Sequence, residues 1–271
     1  MVSKKAYTAQ ASGIGRATAL AYARYGALGL VVADVDEPGA QEAAKEAKQQ
    51  ATNPDFTVYA LCVDVRDFQS VEKVFAFAVD KFKRVDYSVN SVGIAFAKAF
   101  IADNSLDLYD NTQNINTKGV LYHTKAAVEV MLKQDPVVIQ GHDRVRTIGR
   151  GSIVNVCSDA SIIATPSQVE YNASKFAALA ITKTAANEYG ASQIRINALC
   201  PGPIETPLLE RYVAANPAIR DKLAVGTTLG RVGDVDEVAD SILFLTSTAG
   251  SFVHGSTVVV DGGLANNVPG L

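Results

Sequence analysis

Three side chains that can take part in proton transfer lie close together in the stretch 151–175. Ser158 follows the apolar run 153–156, which is typical of a strand buried on both faces, so this hydroxyl is expected where a strand ends. Tyr171 and Lys175 stand four residues apart in a segment rich in Ala, Leu and Ile, which favours a helix and places both side chains on one face. A phenol beside an ammonium group is a candidate proton donor.

The chemistry depends on the electrostatics of the phenol. Tyrosine has a reference pKa of about 10 and exchanges protons poorly at neutral pH, but a cation one helical turn away favours the phenolate. A hydroxyl such as that of Ser158 can hold the same substrate oxygen against the tyrosine proton. The alternative is that Tyr171 and Lys175 form an ordinary surface pair and that Ser158 is a turn residue. The spacing alone favours this alternative, because it arises easily by chance.

A second candidate site lies near the start of the chain. Residues 12–26 are typical of a glycine turn that opens a helix, where Gly13 and Gly15 allow a phosphate to approach free N–H groups. The apolar segment 28–34 predicts a strand that ends in Asp34, about 20 residues after the glycines, where an acid can hold a ribose 2′-hydroxyl and repel a 2′-phosphate. The alternative for Asp34 is a turn residue at a strand end.

Strands and helices alternate along the chain. Apolar runs predict strands at 28–34, 56–64, 85–90, 153–156, 194–200 and 256–260, with helical segments between them. This order indicates one α/β domain over residues 1–271, with a doubly wound parallel sheet between two layers of helices. The polar residues at the carboxyl ends of the strands are expected to line one rim, where ligands bind in such folds: Asp34, Asp64, Asn90 and Ser158.

Three further segments have distinct patterns. The helical pattern over 106–134 is interrupted at 114–119 by Asn and Gly, which destabilise a helix interior, so a local contact is expected to offset them. Residues 135–150 contain Pro, Gly and Arg and are predicted to form a surface loop. The segment from about 203 to 230 is amphipathic and punctuated by Pro and Gly, which is typical of a mobile lid.

Composition narrows the class of function. With a formal net charge of −3 the chain offers no clustered positive charge for a nucleic acid or an anionic membrane, so a small-molecule substrate is expected. The scattered histidines predict no metal site. Without an apolar leader or a membrane-length apolar run, a cytoplasmic protein is expected. The cysteines lack Cys-x-x-Cys spacing and are predicted to be buried thiols: Cys62, Cys157 and Cys200.

Taken together, these residues resemble the classical short-chain dehydrogenase/reductase family over nearly the whole chain. Each motif is weak alone, but their common order is specific. The stretch 86–90 and the segment 135–150 look most like family members of fungal secondary metabolism. The matching motifs are Ser12-Gly13-Ile14-Gly15, Asp64-Val65, Asn90-x-x-Gly93, Asn116 with Gly119, Ser158, Tyr171-x-x-x-Lys175, Pro201-Gly202 with Thr206, and Gly230-Arg231 through Val260-Asp261-Gly262-Gly263.

The resemblance implies a Rossmann-like fold and a role for each residue. Tyr171 is then the general acid and base, Ser158 orients the substrate oxygen, and Lys175 lowers the tyrosine pKa and holds the nicotinamide ribose. Asn116 supports a water relay to Lys175. The cofactor residues implied in this way are Ser12, Gly13, Ile14, Gly15, Asp34, Asp64, Val65, Asn90, Gly93, Tyr171, Lys175, Pro201, Gly202, Ile204 and Thr206.

The resulting hypothesis is an oxidoreductase that interconverts a secondary alcohol and a ketone by hydride transfer with a nicotinamide cofactor. We expect NAD rather than NADP, because a phosphate about 4 Å from Asp34 costs about 4 kcal/mol at an effective dielectric near 20. The resemblance also implies a homodimer or homotetramer, in which the helix around 107–134 and the helix that carries Tyr171 pack against their symmetry mates.

Two other functions stay open at this point. One is a 3-oxoacyl-thioester reductase of the same family. The other is a redox-inactive binding or scaffold protein, since Ala9 replaces the first glycine of the family's Thr-Gly-x-x-x-Gly-x-Gly motif and residues 2–7 match its apolar first strand poorly. A Cβ at Ala9 is expected to crowd the phosphates of a cofactor. The intact set of Asn116, Ser158, Tyr171 and Lys175 argues against the second alternative.

Overall fold

The computed structural model describes residues 5–9, 11–95, 99–141, 143–214 and 217–266. Their strands are β1 (Lys5–Ala9), β2 (Gly29–Asp34), β3 (Thr57–Cys62), β4 (Tyr87–Asn90), β5 (Val137–Gln140), β6 (Val145–Gly149), β7 (Gly151–Val156), β8 (Ile194–Pro201) and β9 (Thr257–Val260). Seven of them form one parallel sheet in the order β3-β2-β1-β4-β7-β8-β9. The predicted doubly wound α/β fold is confirmed.

Helices cover both faces of this sheet. They are α1 (Gly13–Arg24), α2 (Glu37–Gln50), α3 (Phe68–Phe82), α4 (Leu106–Thr112), α5 (Lys118–Met131), α6 (Val169–Tyr189), α7 (Pro207–Val213), α8 (Ala218–Gly226) and α9 (Val235–Thr246). Side chains of α1, α2 and α9 pack with Leu30 and Val32 of β2, whereas those of α3, α5 and α6 pack with Val31 and Ala33. Successive strand residues point to opposite faces, so β2 is apolar throughout its buried part.

The strand order reverses beside β1. From β1 the chain winds outward through β2 to β3, and it then returns to β4 on the other side of β1. The crevice at the carboxyl ends of β1 and β4 is therefore the topological switch point, where ligands bind in open α/β sheets. Although residues 2–7 match an apolar first strand poorly, Lys5–Ala9 pairs with both β2 and β4. Backbone pairing on two sides overrides weak local propensity.

Two expectations were wrong. The segment 135–150 is not a loop throughout, because β5 and β6 form an antiparallel hairpin in which the exposure of residues along β5 alternates. Such alternation has the period of a strand. Cys62 is exposed, whereas Cys157 and Cys200 are buried as predicted. The reason is that Cys62 ends β3, which is an edge strand.

None of the helices within the described residues is long and apolar enough to cross a membrane.

The interruption of the predicted helix 106–134 has a structural cause. A π-helical turn, Gln113–Thr117, separates α4 from α5. Gly119 follows in the first turn of α5, where a Cβ would lie 3.1 Å from Cγ2 of Val65. Gly119 therefore permits the close approach of α5 to the loop after β3, where a larger residue would need Val65 to shift.

Candidate active site

A cleft of about 380 Å³ opens at the carboxyl ends of the central strands. It is enclosed by the first turn of α1, the segments after β4, β7 and β8, and the helices α6 and α7. The predicted site residues that line it are Ser12, Gly13, Ile14, Gly93, Ser158, Tyr171, Lys175, Pro201, Gly202, Ile204 and Thr206. The remaining predicted residues lie outside its lining: Gly15, Asp34, Asp64, Val65, Asn90 and Asn116.

Ser158 follows β7 directly and begins a short 3₁₀ turn, Asp159–Ser161. Its Oγ accepts a hydrogen bond of 3.1 Å from the backbone N–H of Ala160 and donates one of 2.7 Å to Oδ1 of Asp159. The hydroxyl is buried and fixed by these two bonds at the wall of the cleft. To donate to a substrate oxygen, the Ser158 hydroxyl has to turn its single proton away from Asp159.

Tyr171 and Lys175 lie one turn apart in α6, as predicted. The Nζ atom of Lys175 is 5.6 Å from the centre of the Tyr171 ring. It also donates a hydrogen bond of 3.2 Å to the carbonyl of Val156, the last residue of β7. Lys175 is only 5% exposed, so solvent screens its positive charge weakly. The arrangement places a fixed cation next to the phenol.

Asn116 is held at the π-helical turn by bonds to two other segments. Its Oδ1 accepts from the N–H of Ile94 and its Nδ2 donates to the carbonyl of Ile94, both at 2.9 Å. Nδ2 also donates to Oγ of Ser174 in α6 at 3.0 Å. A Cβ placed on Gly93 would lie 3.3 Å from Nζ of Lys175 and 3.7 Å from Oδ1 of Asn116. Asn116 and Lys175 therefore flank the same glycine, and the water relay between them stays a prediction.

The glycine turn before α1 leaves room for a phosphate group. Gly13 has a φ of +50° and lies against Thr206, whose Cγ2 a Cβ on Gly13 would approach to 3.3 Å. The side chain of Ser12 makes no capping hydrogen bond within the described residues. The N–H groups of the first turn of α1 and its positive dipole end thus face the cleft, which is the arrangement that binds phosphates.

Asp34 fixes this turn as well as ending β2. Its Oδ2 accepts from the N–H of Ala11 at 2.7 Å, and its Oδ1 accepts from the N–H of Asp36 at 3.0 Å. Each carboxylate oxygen has a second lone-pair direction, so the group can still accept bonds from ribose hydroxyls. Arg16, which follows Gly15 in the first turn of α1, forms an ion pair with Glu46 of α2. Its charge is therefore already balanced.

A buried amide indicates that a dinucleotide fits here. Asn90 ends β4 and is 2% exposed, and its Oδ1 accepts from the N–H of Val92 at 3.1 Å. Its Nδ2 has no hydrogen-bond partner among the described residues. An unsatisfied buried donor costs about 1–3 kcal/mol, and the next residue, Ser91, lines the cleft. This orphaned donor and the glycine turn together fit a dinucleotide cofactor.

Asp64 is less available than the resemblance implies. The guanidinium of Arg66 donates to both of its carboxylate oxygens at 2.7 to 3.1 Å and lowers the pKa of Asp64. The contact of Asp64 with adenine stays a prediction.

At the other side of the cleft, a Cβ on Gly202 would lie 2.8 Å from Cα of Asp261, which explains the glycine there.

Sequence reasoning missed Asp159 and two side chains of α7. Asp159 lines the cleft beside Ser158, and burial raises the pKa of its carboxyl group above the ordinary value. Arg211 and Tyr212 line the cleft from α7. The signal for Asp159 was a carboxylate directly after a candidate catalytic serine. Arg211 and Tyr212 lie within the predicted lid segment, but no local pattern singled them out, because their proximity to the cleft depends on how α7 folds over it.

The fold and the site together define an oxidoreductase that uses a nicotinamide cofactor. The chain belongs to the short-chain dehydrogenase/reductase family. Residues 8–265 match a family model described as enoyl-(acyl carrier protein) reductase. The predicted family, fold class and enzyme class are thereby confirmed.

The relatives agree with this assignment. The chain is 38% identical over 259 residues to the short-chain dehydrogenase srdC of Neurospora crassa, covering 95% of each chain. It is 36% identical over 257 residues to the 3-oxoacyl-[acyl-carrier-protein] reductase FabG of Thermotoga maritima, again covering 95% of each. The crystal structure of levodione reductase superposes with a TM-score of 0.89 at 27% identity, covering 99% of this chain and 100% of that one.

Proposed function

We propose that this enzyme interconverts a secondary alcohol and a ketone, with Tyr171 as the proton-transferring group. The observation that carries the proposal is that Ser158, Tyr171 and Lys175 line the same cleft as the glycine turn of α1. A phenol, a hydroxyl and a buried ammonium then surround the place where a substrate oxygen would bind. This set supplies a proton and stabilises charge on oxygen, as carbonyl reduction requires.

In the direction of reduction, the hydroxyl of Tyr171 donates its proton to the ketone oxygen as that oxygen becomes an alcohol. The ammonium of Lys175, 5.6 Å from the ring, stabilises the phenolate that remains. Ser158 holds the substrate oxygen in place during the transfer. When bound, the nicotinamide supplies the hydride for reduction or accepts it for oxidation. In oxidation, Tyr171 takes the proton back from the alcohol.

The proposed cofactor is NAD(H). Asp34 lies at the end of β2, and Arg16, in the first turn of α1, is paired with Glu46. An additional phosphate on the ribose would be repelled by this carboxylate, and the charge of Arg16 is already paired. The predicted cofactor residues support this proposal through their positions at the carboxyl ends of β2 and β4 and in the turn before α1.

The proposed setting is fungal secondary metabolism in the cytoplasm, with the segment from about 203 to 230 as a lid. The resemblance to srdC supports the setting. Leu208, Leu209, Arg211, Tyr212 and Leu223 of α7 and α8 line the cleft, which supports the lid. The second candidate function is reduction of a 3-oxoacyl thioester. It is favoured by the identity with FabG and by Arg211, an exposed cation at the cleft mouth that suits an anionic carrier group.

The test is a substrate screen with the purified full chain. Binding of NADH and NADPH is titrated first, and oxidation of the reduced nicotinamide is then followed with cyclic ketones and with 3-oxoacyl thioesters. Turnover of cyclic ketones with little activity on thioesters supports the proposal. Thioester reduction that is faster favours the second candidate, and cofactor binding without turnover of either class contradicts both.

A further inference from the structure

The only proton of the Ser158 hydroxyl is donated to a neighbouring carboxylate. Oγ of Ser158 lies 2.7 Å from Oδ1 of Asp159, and an ionised carboxylate can only accept, so the proton of this bond comes from the serine. The N–H of Ala160 donates to Oγ of Ser158 at 3.1 Å and to Oδ1 of Asp159 at 2.7 Å. Ser158 therefore has one lone pair left for a ligand in the cleft, and no proton.

This direction of the hydrogen bond is the opposite of the one that ketone reduction needs. Negative charge develops on the substrate oxygen as the carbonyl is reduced, and a hydroxyl group stabilises that charge only as a donor. An ionised Asp159 competes for the same proton, because a hydrogen bond to a charged acceptor is about twice as strong as one to a neutral oxygen. With Asp159 ionised, Ser158 therefore stabilises the substrate oxygen weakly.

Protonation of Asp159 reverses the bond. A protonated carboxyl group has one O–H donor, and a proton on Oδ1 is donated to Oγ of Ser158 across the same 2.7 Å. Ser158 then has its own proton available for the substrate oxygen. The added proton comes from solvent, and no covalent bond between heavy atoms forms or breaks in this step.

The surroundings of Asp159 favour its protonated form relative to an exposed aspartate. Burial is the largest influence and raises the pKa of the carboxyl group, and the charge of Asp261 acts in the same direction. The bonds from Ser158 and Ala160 and the charge of Lys175 act against burial, but the net direction is upward. Other titratable side chains line the cleft or lie at the adjacent ends of α6 and β8: Cys157, Glu170, Tyr171, Cys200, Arg211 and Tyr212.

We propose that Asp159 is a positioning residue that sets the direction of the Ser158 hydroxyl. The ionised carboxylate holds the serine proton, whereas the protonated carboxyl group donates to Ser158 and leaves that proton for the substrate oxygen. The inference rests on the proposed function, because it assumes that the carbonyl oxygen of a ketone binds Ser158. Reduction is then expected to become slower as Asp159 loses its proton.

The test compares the wild type with Asp159→Asn, because an amide has an N–H donor in place of the carboxyl proton and does not titrate. With saturating reduced cofactor and the cyclic ketone that is reduced fastest, kcat/KM is measured from about pH 5 to about pH 8. Near the upper limit the variant should exceed the wild type by about tenfold or more, the factor that corresponds to one hydrogen bond to a charged group. This ratio should fall as the pH decreases, because Asp159 of the wild type gains its proton.

Two further variants separate the direction of the hydroxyl from other effects. Asp159→Ala removes the charge but supplies no donor, so its kcat/KM at the upper pH limit should lie between those of the wild type and Asp159→Asn. Asp240→Asn, in a separate cavity beside α9, should match the wild type at every pH. Tyr171 and Lys175 are present in all four proteins, so their titration cancels in the ratios. A thermal melt verifies that each variant is folded.

The outcomes distinguish this inference from the proposed function. If the wild type reduces a ketone but the ratio of Asp159→Asn to wild type stays near one, or does not change with pH, the inference is wrong and the proposed function stands. Equal rates for Asp159→Asn and Asp159→Ala would also overturn it, because the charge alone would then account for the effect. If cofactor binds but no ketone is reduced by any of the four proteins, the proposed function fails and the inference fails with it.

Discussion

The Nζ atom of Lys175 lies 5.6 Å from the centre of the Tyr171 ring while it donates a 3.2 Å hydrogen bond to the carbonyl of Val156. The helix α6 sets the spacing between the phenol and the ammonium, and the end of β7 anchors the ammonium. The same strand end leads directly into Ser158. One junction between a strand and a helix thus positions all three groups of the candidate site.

Replacing Tyr171 with phenylalanine is expected to reduce turnover by about 10²- to 10⁴-fold, because only the proton-transferring hydroxyl is lost. The Tm should change little, since Tyr171 lies at the wall of an open cleft. Steady-state kinetics and a thermal melt measure both effects. Tyr189→Phe, at the end of the same helix, is the matched control and should retain activity. Near wild-type turnover in Tyr171→Phe would show that the proton comes from another group.

Lys175→Met removes the buried cation but keeps a chain of similar length. We expect kcat to fall, because no fixed positive charge stabilises the phenolate, and cofactor binding to weaken if the ammonium holds the nicotinamide ribose. Fluorescence titration of NADH and initial rates measure the two effects separately. Lys183→Met, on an exposed part of the same helix, is the control. Unchanged cofactor affinity in Lys175→Met would exclude the ribose contact.

Asp34→Asn tests the choice of cofactor. The wild type should have a higher kcat/KM with NADH than with NADPH, and the variant should reduce this preference by at least about tenfold, because the repulsion of a phosphate by a carboxylate is lost. The amide retains an acceptor for the N–H of Ala11, so the glycine turn should persist. A wild-type preference for NADPH would overturn the assignment.

The burial of His123 predicts that the free energy of unfolding depends on pH. It is 2% exposed, and burial lowers its pKa from 6.5 to about 3. Between these values the unfolded chain binds a proton that the folded chain does not, so the free energy of unfolding falls as pH decreases below 6.5. The loss from this one group is at most about 1.4 kcal/mol per pH unit.

The corresponding measurement is denaturant unfolding at several pH values between neutral and acidic. His123→Gln, which retains a polar group near Ser88, should show a shallower decrease than the wild type. The other titrating groups are shared by the two proteins, so the difference between the curves isolates His123. Parallel curves would mean that His123 is protonated in the folded protein.

Assembly is expected to use the helices α4 to α6. Apolar side chains on this surface are exposed, with relative accessibilities of 47% for Leu121, 41% for Leu132 and 43% for Phe176. Light scattering at micromolar concentration should give a dimer or tetramer for the wild type and a smaller species for the double variant Leu121→Glu, Phe176→Glu. Val225→Glu, on α8, is the control. A monomeric wild type would refute this assembly.

The pattern of residues along the sequence was enough to predict several strands and the candidate catalytic side chains. Strands at 28–34 and 194–200 were predictable because a parallel strand covered by helices on both faces is a continuous apolar run. The pairing of Tyr171 with Lys175 followed from the helical period, and Ser158 followed from its position after such a run. These properties depend on residues that are neighbours in the sequence.

The tertiary structure decided what depends on distant residues. Asn116 offsets its low helix propensity through Ile94 and Ser174, which belong to other segments. Cys62 is exposed because β3 lies at the edge of the sheet in the described part of the chain. The hairpin of β5 and β6 lies where the composition predicted a loop. Whether a polar group is hydrogen-bonded and whether a side chain is buried depend on contacts between residues that are distant in the sequence.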